Sequence, residues 1–362
     1  MTDGKTTNFG SIVMTSPQIL SLATAVPPHV LDQGAVAEIA RRIFDGPDGE
    51  IDHLLPIFDN AGIERRHSCV PLDWYLKPAG WKARNRLYLD NALALIERAA
   101  SDCLARAGVA AEEVDTLVSV STTGLATPSL DARLMDRLPF RADVERLPVF
   151  GLGCAGGVLG LGRAAALAKA SPGSRVLLLV VELCGLTFRP GDQTRANIVA
   201  TALFGDGAAA VLLGTGDGAS GIGIRAWGEH RWPDSLDVMG WRIEDDGFGV
   251  LFSRDIPTFV RERFATAADA FLRKHGLGRG DLAGYVCHPG GAKVVAALEE
   301  ALDLAPGTMT AARDVLRDFG NMSAPSALFV LERMLAEGAR GVHLLSSLGP
   351  GFSAGFALLD AP

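Results

Sequence analysis

The chain has 362 residues, 48% hydrophobic and 21% charged, with 34 Lys or Arg against 42 Asp or Glu and a net charge of −8. That balance excludes a disordered polymer, and the acidic excess excludes a broad nucleic-acid face, since phosphate binding needs a basic surface. Gly is over-represented at 42 residues, roughly 12% against a usual ~7%. There is no collagen-like period, so the glycines are positional, marking tight turns and close backbone approaches.

The opening MTDGKTTNFG has no basic segment followed by an apolar core, so no secretory signal is read and a cytoplasmic enzyme is expected. Polar residues up to about Ser16 are expected to fray. Asn91 to Arg106 reads as a helix. Val114 to Ser121, Val176 to Glu182, Ala208 to Leu213, Leu282 to Cys287 and Val342 to Ser346 read as strands. The apolar run Val176 to Val181 is too short to cross a bilayer, so no membrane span is expected. Five widely spaced cysteines without a CxxC support neither a zinc ribbon nor a disulfide framework, and no metal site is expected. Strands alternating with helices indicate an α/β fold built largely on parallel sheets.

The chain also echoes itself. Gly153-Cys154-Ala155-Gly156, a small-residue helix to about Ala170 and the strand VLLLVVE are followed by Gly205-Asp206-Gly207. Gly320-Asn321-Met322-Ser323, a helix to about Ala336 and the strand VHLLSS are followed by Gly349-Pro350-Gly351. The pattern suggests two duplicated halves, 1–218 and 219–362, with a boundary in the Gly-rich stretch Gly214 to Gly223. Such echoes also arise by chance in α/β proteins.

Three polar residues stand at turns where chemistry is expected. Cys154 follows a strand and a Gly turn and precedes a helix, where the positive end of the helix dipole would lower a thiol pKa. The same segment spells G-x-G-x-x-G through Gly151, Gly153 and Gly156, a dinucleotide-like pattern with Glu182 as the acid. That acid lies too far along the chain, and the pattern leaves the other two sites unexplained. His288 stands where a strand ends and the helix Lys293 to Leu302 begins, a place for a base or an oxyanion donor. Asn321 opens the next helix, either as an N-cap or as an amide donor to an oxyanion. If the halves are duplicates, Cys154 and Asn321 are equivalent helix starts that meet about a pseudo-two-fold axis. Cys287 should point away from His288 into the core. Arg65 and Arg66 could grip phosphates.

Together these segments resemble the chalcone and stilbene synthase family, the type III polyketide synthases, and bacterial members in particular. The likeness runs from about Pro17 to the C-terminus through SLATAVPP, STTGLATPSLDARL, GLGCAGG, ELCGLTFR, ALFGDGAAAV, CHPGG, GNMSAPS and SSLGPGFSAG, in family order. The resemblance implies a thiolase-like five-layered αβαβα fold in a homodimer. It implies Cys154 as the nucleophile that takes an acyl starter, with His288 and Asn321 driving decarboxylation. Phe204 would be an apolar gate between the coenzyme A tunnel and the cavity. Thr122, Thr123, Cys184 and Thr187 would line that cavity. Gly349-Pro350-Gly351 resembles the second half of a cyclisation-pocket loop, although Ser347-Leu348 replaces the Gly-Phe of the plant pattern. Arg65, Arg66 and Lys293 are candidate coenzyme A contacts.

The implied reaction is iterative condensation of malonyl-CoA onto a Cys-bound acyl-CoA starter, needing no metal or redox cofactor. With slim residues at Cys184 and the threonines, a fatty acyl starter and an alkylpyrone or alkylresorcinol product are expected. The alternatives are a malonyl-only naphthol synthase, a ketoacyl-acyl-carrier-protein synthase making one extension, and a non-catalytic acyl-CoA-binding protein.

Overall fold

The computed structural model describes residues 16–44, 50–77, 79–216 and 221–362. The frayed start expected before Ser16 and the expected boundary at 218/219 lie outside them. The strands, in chain order, are β1 (Gln18–Ala25), β2 (His29–Asp32), β3 (Arg65–Ser68), β4 (Thr116–Val120), β5 (Glu145–Val149), β6 (Val176–Leu183) and β7 (Asp206–Gly214). β8 (Ile222–Arg231), β9 (Met239–Glu244), β10 (Gly247–Phe252), β11 (Gly284–Cys287), β12 (Gly341–Gly349) and β13 (Ser353–Ala361) complete them.

Nine strands run in the order β11-β12-β13-β8-β1-β7-β6-β4-β5. The order repeats a pattern. β4 is parallel to β6, which is antiparallel to β7, which is antiparallel to β1. In the same way β11 is parallel to β12, which is antiparallel to β13, which is antiparallel to β8. The two sets touch at β1 and β8 through only Gln18↔Gly223 and Ile19↔Ile222, so the order is two sheets joined at a narrow seam.

Helices fill the space on both sides of each sheet. Gly156–Ala170 and Pro325–Ala336 lie between the sheets and touch strands of both, Trp81–Ala107 covers the outer face of the first, and Ile256–Lys274 with Ala292–Ala301 covers the second. This gives the five layers of the thiolase-like fold. β6, VLLLVVEL, is buried at every position because helices cover both its faces, which is why it reads as a continuous apolar run rather than an alternating one.

Local sequence sets the central contact. Gly157 is needed because a Cβ there would stand 2.3 Å from the carbonyl oxygen of Ala324. The two middle helices therefore meet at their starts, backbone to backbone. Three expectations are corrected. The sheets are mixed rather than largely parallel: only β11–β12, β4–β6 and β4–β5 pair in parallel, and the other five pairings of the nine-strand order are antiparallel. The helix expected from Asn91 begins at Trp81, since its first turns are amphipathic rather than apolar. Asn321 does not open a helix: it forms a lone parallel bridge with Phe204, and the helix begins at Pro325.

Candidate active site

Cys154 sits in a short 3-10 turn, Gly153–Ala155, immediately before the central helix. Gly153 takes φ 47°, and a Cβ on it would meet the ring of Pro350 at 2.7 Å. Gly349 is equally constrained, since its Cβ would stand 2.6 Å from that of Ala155. The Gly349-Pro350-Gly351 loop thus clamps the turn that carries the thiol.

His288 follows β11, and its N–H donates to Ser346 O at 2.9 Å, which continues the β11–β12 pairing by one residue. Asn321 is fixed on three sides. Its N–H donates to Leu203 O at 2.8 Å, its Oδ1 accepts from Ser323 N at 2.8 Å, and its Nδ2 donates to Gly290 O at 3.1 Å. The amide orientation is therefore set, and one of the two Nδ2 protons remains for a ligand.

Cys154, His288 and Asn321 line one small enclosed cavity, together with Met239, Phe252, Ile256, Gly290, Val294 and Leu348. All three are nearly inaccessible, at 8%, 5% and 1% exposure. Both ring nitrogens of His288 are buried without a partner among the described residues. Burial pushes the imidazole pKa down to about 4, so the ring is neutral at physiological pH. The thiol is pushed up to about 11, mainly by burial, with the Ser323 hydroxyl lowering it and the nearby Glu182 carboxylate raising it. The lowering expected from the helix start is outweighed by desolvation. The site thus holds a neutral thiol, a neutral imidazole and an oriented amide in an apolar chamber.

The chain matches the family described as "Chalcone and stilbene synthases", its N-terminal domain over residues 11–217 and its C-terminal domain over residues 228–358. It belongs to that family. A putative chalcone synthase of Bacillus subtilis is 39% identical, the alignment covering 94% of this chain and 98% of the relative. A 1,3,6,8-tetrahydroxynaphthalene synthase of Streptomyces peucetius is 40% identical, covering 96% and 94%. Among solved structures, the Streptomyces coelicolor 1,3,6,8-tetrahydroxynaphthalene synthase superposes with a TM-score of 0.89 at 28% identity, covering 95% of this chain and 99% of that one. The chain is a type III polyketide synthase, an acyltransferase.

The other expected site residues of this synthase separate into groups. Cys184, Thr187 and Phe204 line a second, largely apolar cavity, beside Leu31, Val36 and Ala40. Cys184 and Cys154 are close enough for the charge on one to raise the pKa of the other. Phe204 faces Trp241 of β9 edge-on, with centroids 6.2 Å apart. The Cys154 cavity and the wide cleft outside it share Phe252, Ile256, Gly290 and Val294. Phe204 is not among these four, and of them only Phe252 is aromatic.

Thr122 and Thr123 do not line either cavity. Thr122 Oγ1 accepts from Gly153 N at 3.2 Å, while Thr122 N and Thr123 Oγ1 donate to Glu182 at 3.0 and 2.7 Å. They support the Cys154 turn from behind. Glu182 is wholly enclosed, and burial raises its carboxyl to about 7, so the acid of the dinucleotide-like pattern faces protein rather than a ribose. Cys287 is buried beside Ser346 Oγ at 3.3 Å, in the core as expected.

The wide cleft is lined by Lys293 with Arg195 and Arg254, all exposed. The latter two went unnoticed in the sequence because isolated surface arginines carry no pattern. Arg65 and Arg66 are elsewhere. Arg65 pairs with Asp318 at 3.4 Å. Arg66 is 3% exposed and holds the carbonyls of Thr201 and Phe204, so it is no surface phosphate ligand. Ser323 was also missed, since Ser after Asn-Met reads as an ordinary helix lead-in. Among the described residues no cluster of three His, Cys, Asp or Glu is placed to hold a metal ion, and no helix is long and apolar enough to cross a membrane.

Proposed function

We propose that this type III polyketide synthase primes Cys154 with an aliphatic acyl group from a fatty acyl-CoA and extends it with malonyl-CoA, releasing an alkylpyrone or alkylresorcinol. The observation that carries the starter class is the apolar cavity beside Cys184, whose aliphatic wall suits a hydrocarbon tail.

In the first step Sγ of Cys154 attacks the starter thioester while neutral His288 accepts the thiol proton. The bond to coenzyme A breaks and its sulfur leaves, taking up that proton. Malonyl-CoA then enters past Phe252, with Lys293, Arg195 and Arg254 facing the phosphates of its carrier. Its carboxylate leaves as CO2, and the electron pair stays on the α-carbon as an enolate. The free Nδ2 proton of Asn321 and an N–H of His288 meet the enolate oxygen. The apolar chamber favours neutral CO2 over a carboxylate. The enolate carbon attacks the Cys154 thioester, releasing the thiolate and leaving a chain two carbons longer on coenzyme A. Further rounds precede cyclisation. The thioesters are substrates, and the steps call on no other cofactor.

The enzyme is proposed to work as a cytoplasmic homodimer of two-half chains, 1–218 and 219–362. Phe150, 54% exposed and close in sequence to Cys154, is an apolar surface residue that a second copy would cover. A malonyl-only synthase making a naphthol is the second reading, favoured by the 40% identity to a tetrahydroxynaphthalene synthase.

Incubation with malonyl-CoA alone and with a ladder of fatty acyl-CoAs, read by mass spectrometry, separates the two. Starter-dependent products are expected. A product from malonyl-CoA alone, unaffected by any fatty starter, would overturn the first reading. A single extension that requires acyl carrier protein would overturn both.

A further inference from the structure

Arg66 is a buried cation with one donor unspent. It projects from β3, and its Nη1 donates to Thr201 O at 2.8 Å and Phe204 O at 2.9 Å. Its Nη2 donates to Ala202 O at 2.6 Å and to the Gln33 side chain. These bonds fix the guanidinium plane. Nε is buried and has no partner among the described residues, yet Arg66 lines the apolar cavity beside Cys184.

Apart from the weakly donating Cys184 thiol, the side-chain donors of the other residues on that wall are already engaged. Asn197 Nδ2 donates to the carbonyls of Arg189 and Asp192 at 2.9 and 2.7 Å. Thr201 Oγ1 donates to Asn197 O at 2.8 Å, Thr187 Oγ1 to Cys184 O at 2.7 Å, and the Tyr75 hydroxyl is paired with Ser68 Oγ at 2.9 Å. A charged N–H left unmet in an apolar enclosure is costly, and an acceptor brought in by a ligand removes that cost. The cavity therefore offers an aliphatic wall with a single strong donor.

We propose that it receives an aliphatic acyl chain carrying one hydrogen-bond acceptor, a hydroxyl or keto oxygen, with Arg66 Nε–H as the donor. The oxygen lies away from the thioester carbon, because Arg66 is not among the residues around Cys154. A poly-β-ketone fits less well, since it would bury an acceptor at every second carbon against one donor. The proposal rests on the reading that an acyl-CoA primes Cys154.

The test compares kcat/KM for a medium-chain acyl-CoA with its hydroxy and keto isomers of equal length, oxygenated at successive carbons beyond the β-carbon, each extended with malonyl-CoA. At least one isomer is expected to exceed the plain chain by about tenfold, the scale of a hydrogen bond from a charged donor. Ala40 shares this wall, and Ala40→Phe is expected to erase the preference. That variant leaves the bonds of Arg66 in place, whereas Arg66 variants put the fold at risk. No preference for any isomer, or a preference that survives Ala40→Phe, overturns the proposal while leaving the acyl-starter reading intact. Failure of every acyl-CoA to be extended overturns both.

Discussion

The hydroxyl of Ser323 donates to the sulfur of Cys154 across 3.3 Å, and it does so from a left-handed backbone conformation, φ 58°. A non-glycine residue pays roughly 1–2 kcal/mol for that conformation, and the bond from Ser323 N to Asn321 Oδ1 holds it there. One strained residue thus ties the Asn321 amide to the Cys154 thiol. A hydroxyl donor favours the charged sulfur. Ser323→Ala should slow alkylation of Cys154 by iodoacetamide about fivefold at fixed pH, as expected for loss of about 1 kcal/mol. Intact-mass time courses give the rate, and an unchanged rate would remove Ser323 from this role.

Cys154→Ala should abolish acyl-enzyme formation while leaving malonyl-CoA decarboxylation measurable, because the His288 and Asn321 donors remain. His288→Ala should lose both reactions by orders of magnitude. CO2 release and acyl-enzyme mass are the two readouts, and condensation that persists in Cys154→Ala would reassign the nucleophile.

Gly349→Ala places a methyl 2.6 Å from the Cβ of Ala155 and 2.8 Å from its nitrogen. Backbone cannot yield cheaply, so the Cys154 turn must shift. A stability loss of about 1–3 kcal/mol is expected, seen as a lower Tm, with a larger fractional loss of kcat than of starter binding.

The depressed pKa of His288 couples stability to pH. The unfolded ring protonates as pH falls through 6.5, whereas the folded ring resists until about 4. Between those values the unfolded state binds more protons. The His288 contribution is therefore full above pH 6.5 and is lost as pH falls through 4, by about 3 kcal/mol over the whole window. The raised carboxyls of Glu182 and Asp206 act in the opposite sense, favouring the folded state as pH falls. The comparison is therefore between wild type and His288→Gln. The variant should lose less Tm between pH 7 and pH 5, and identical slopes would contradict the assignment.

Phe150→Glu, at an exposed apolar residue close in sequence to Cys154, should convert a dimer to monomer in sedimentation. A dimer of unchanged affinity would place the interface elsewhere.

The sequence made the triad legible because each member sits at a junction marked by glycine: Gly153 before Cys154, Gly290 and Gly291 after His288, Gly320 before Asn321. Strand cores such as VLLLVVEL were equally plain, since burial on both faces leaves no alternation to misread. What escaped was set by tertiary contact. Arg66 looks like a surface cation until β3 turns it inward onto three carbonyls. Phe252 and Met239 are apolar residues of a hairpin, and only its folding over the chamber makes them walls. Thr122 and Thr123 resemble cavity residues in sequence, but the carboxylate of Glu182 draws both inward. Asn321 followed the N-cap pattern, yet its bridge to Phe204 delays the helix to Pro325.

The clamp on the Cys154 turn also bears on how the protein comes into being. Cys154 lies in the first half, while the residues that press its turn into shape, Gly349 and Pro350, are translated long afterwards. An unfinished chain emerging from the ribosome carries the thiol without its brace, without His288 and without Asn321. The chamber around Cys154 is complete only when the second sheet closes over the first.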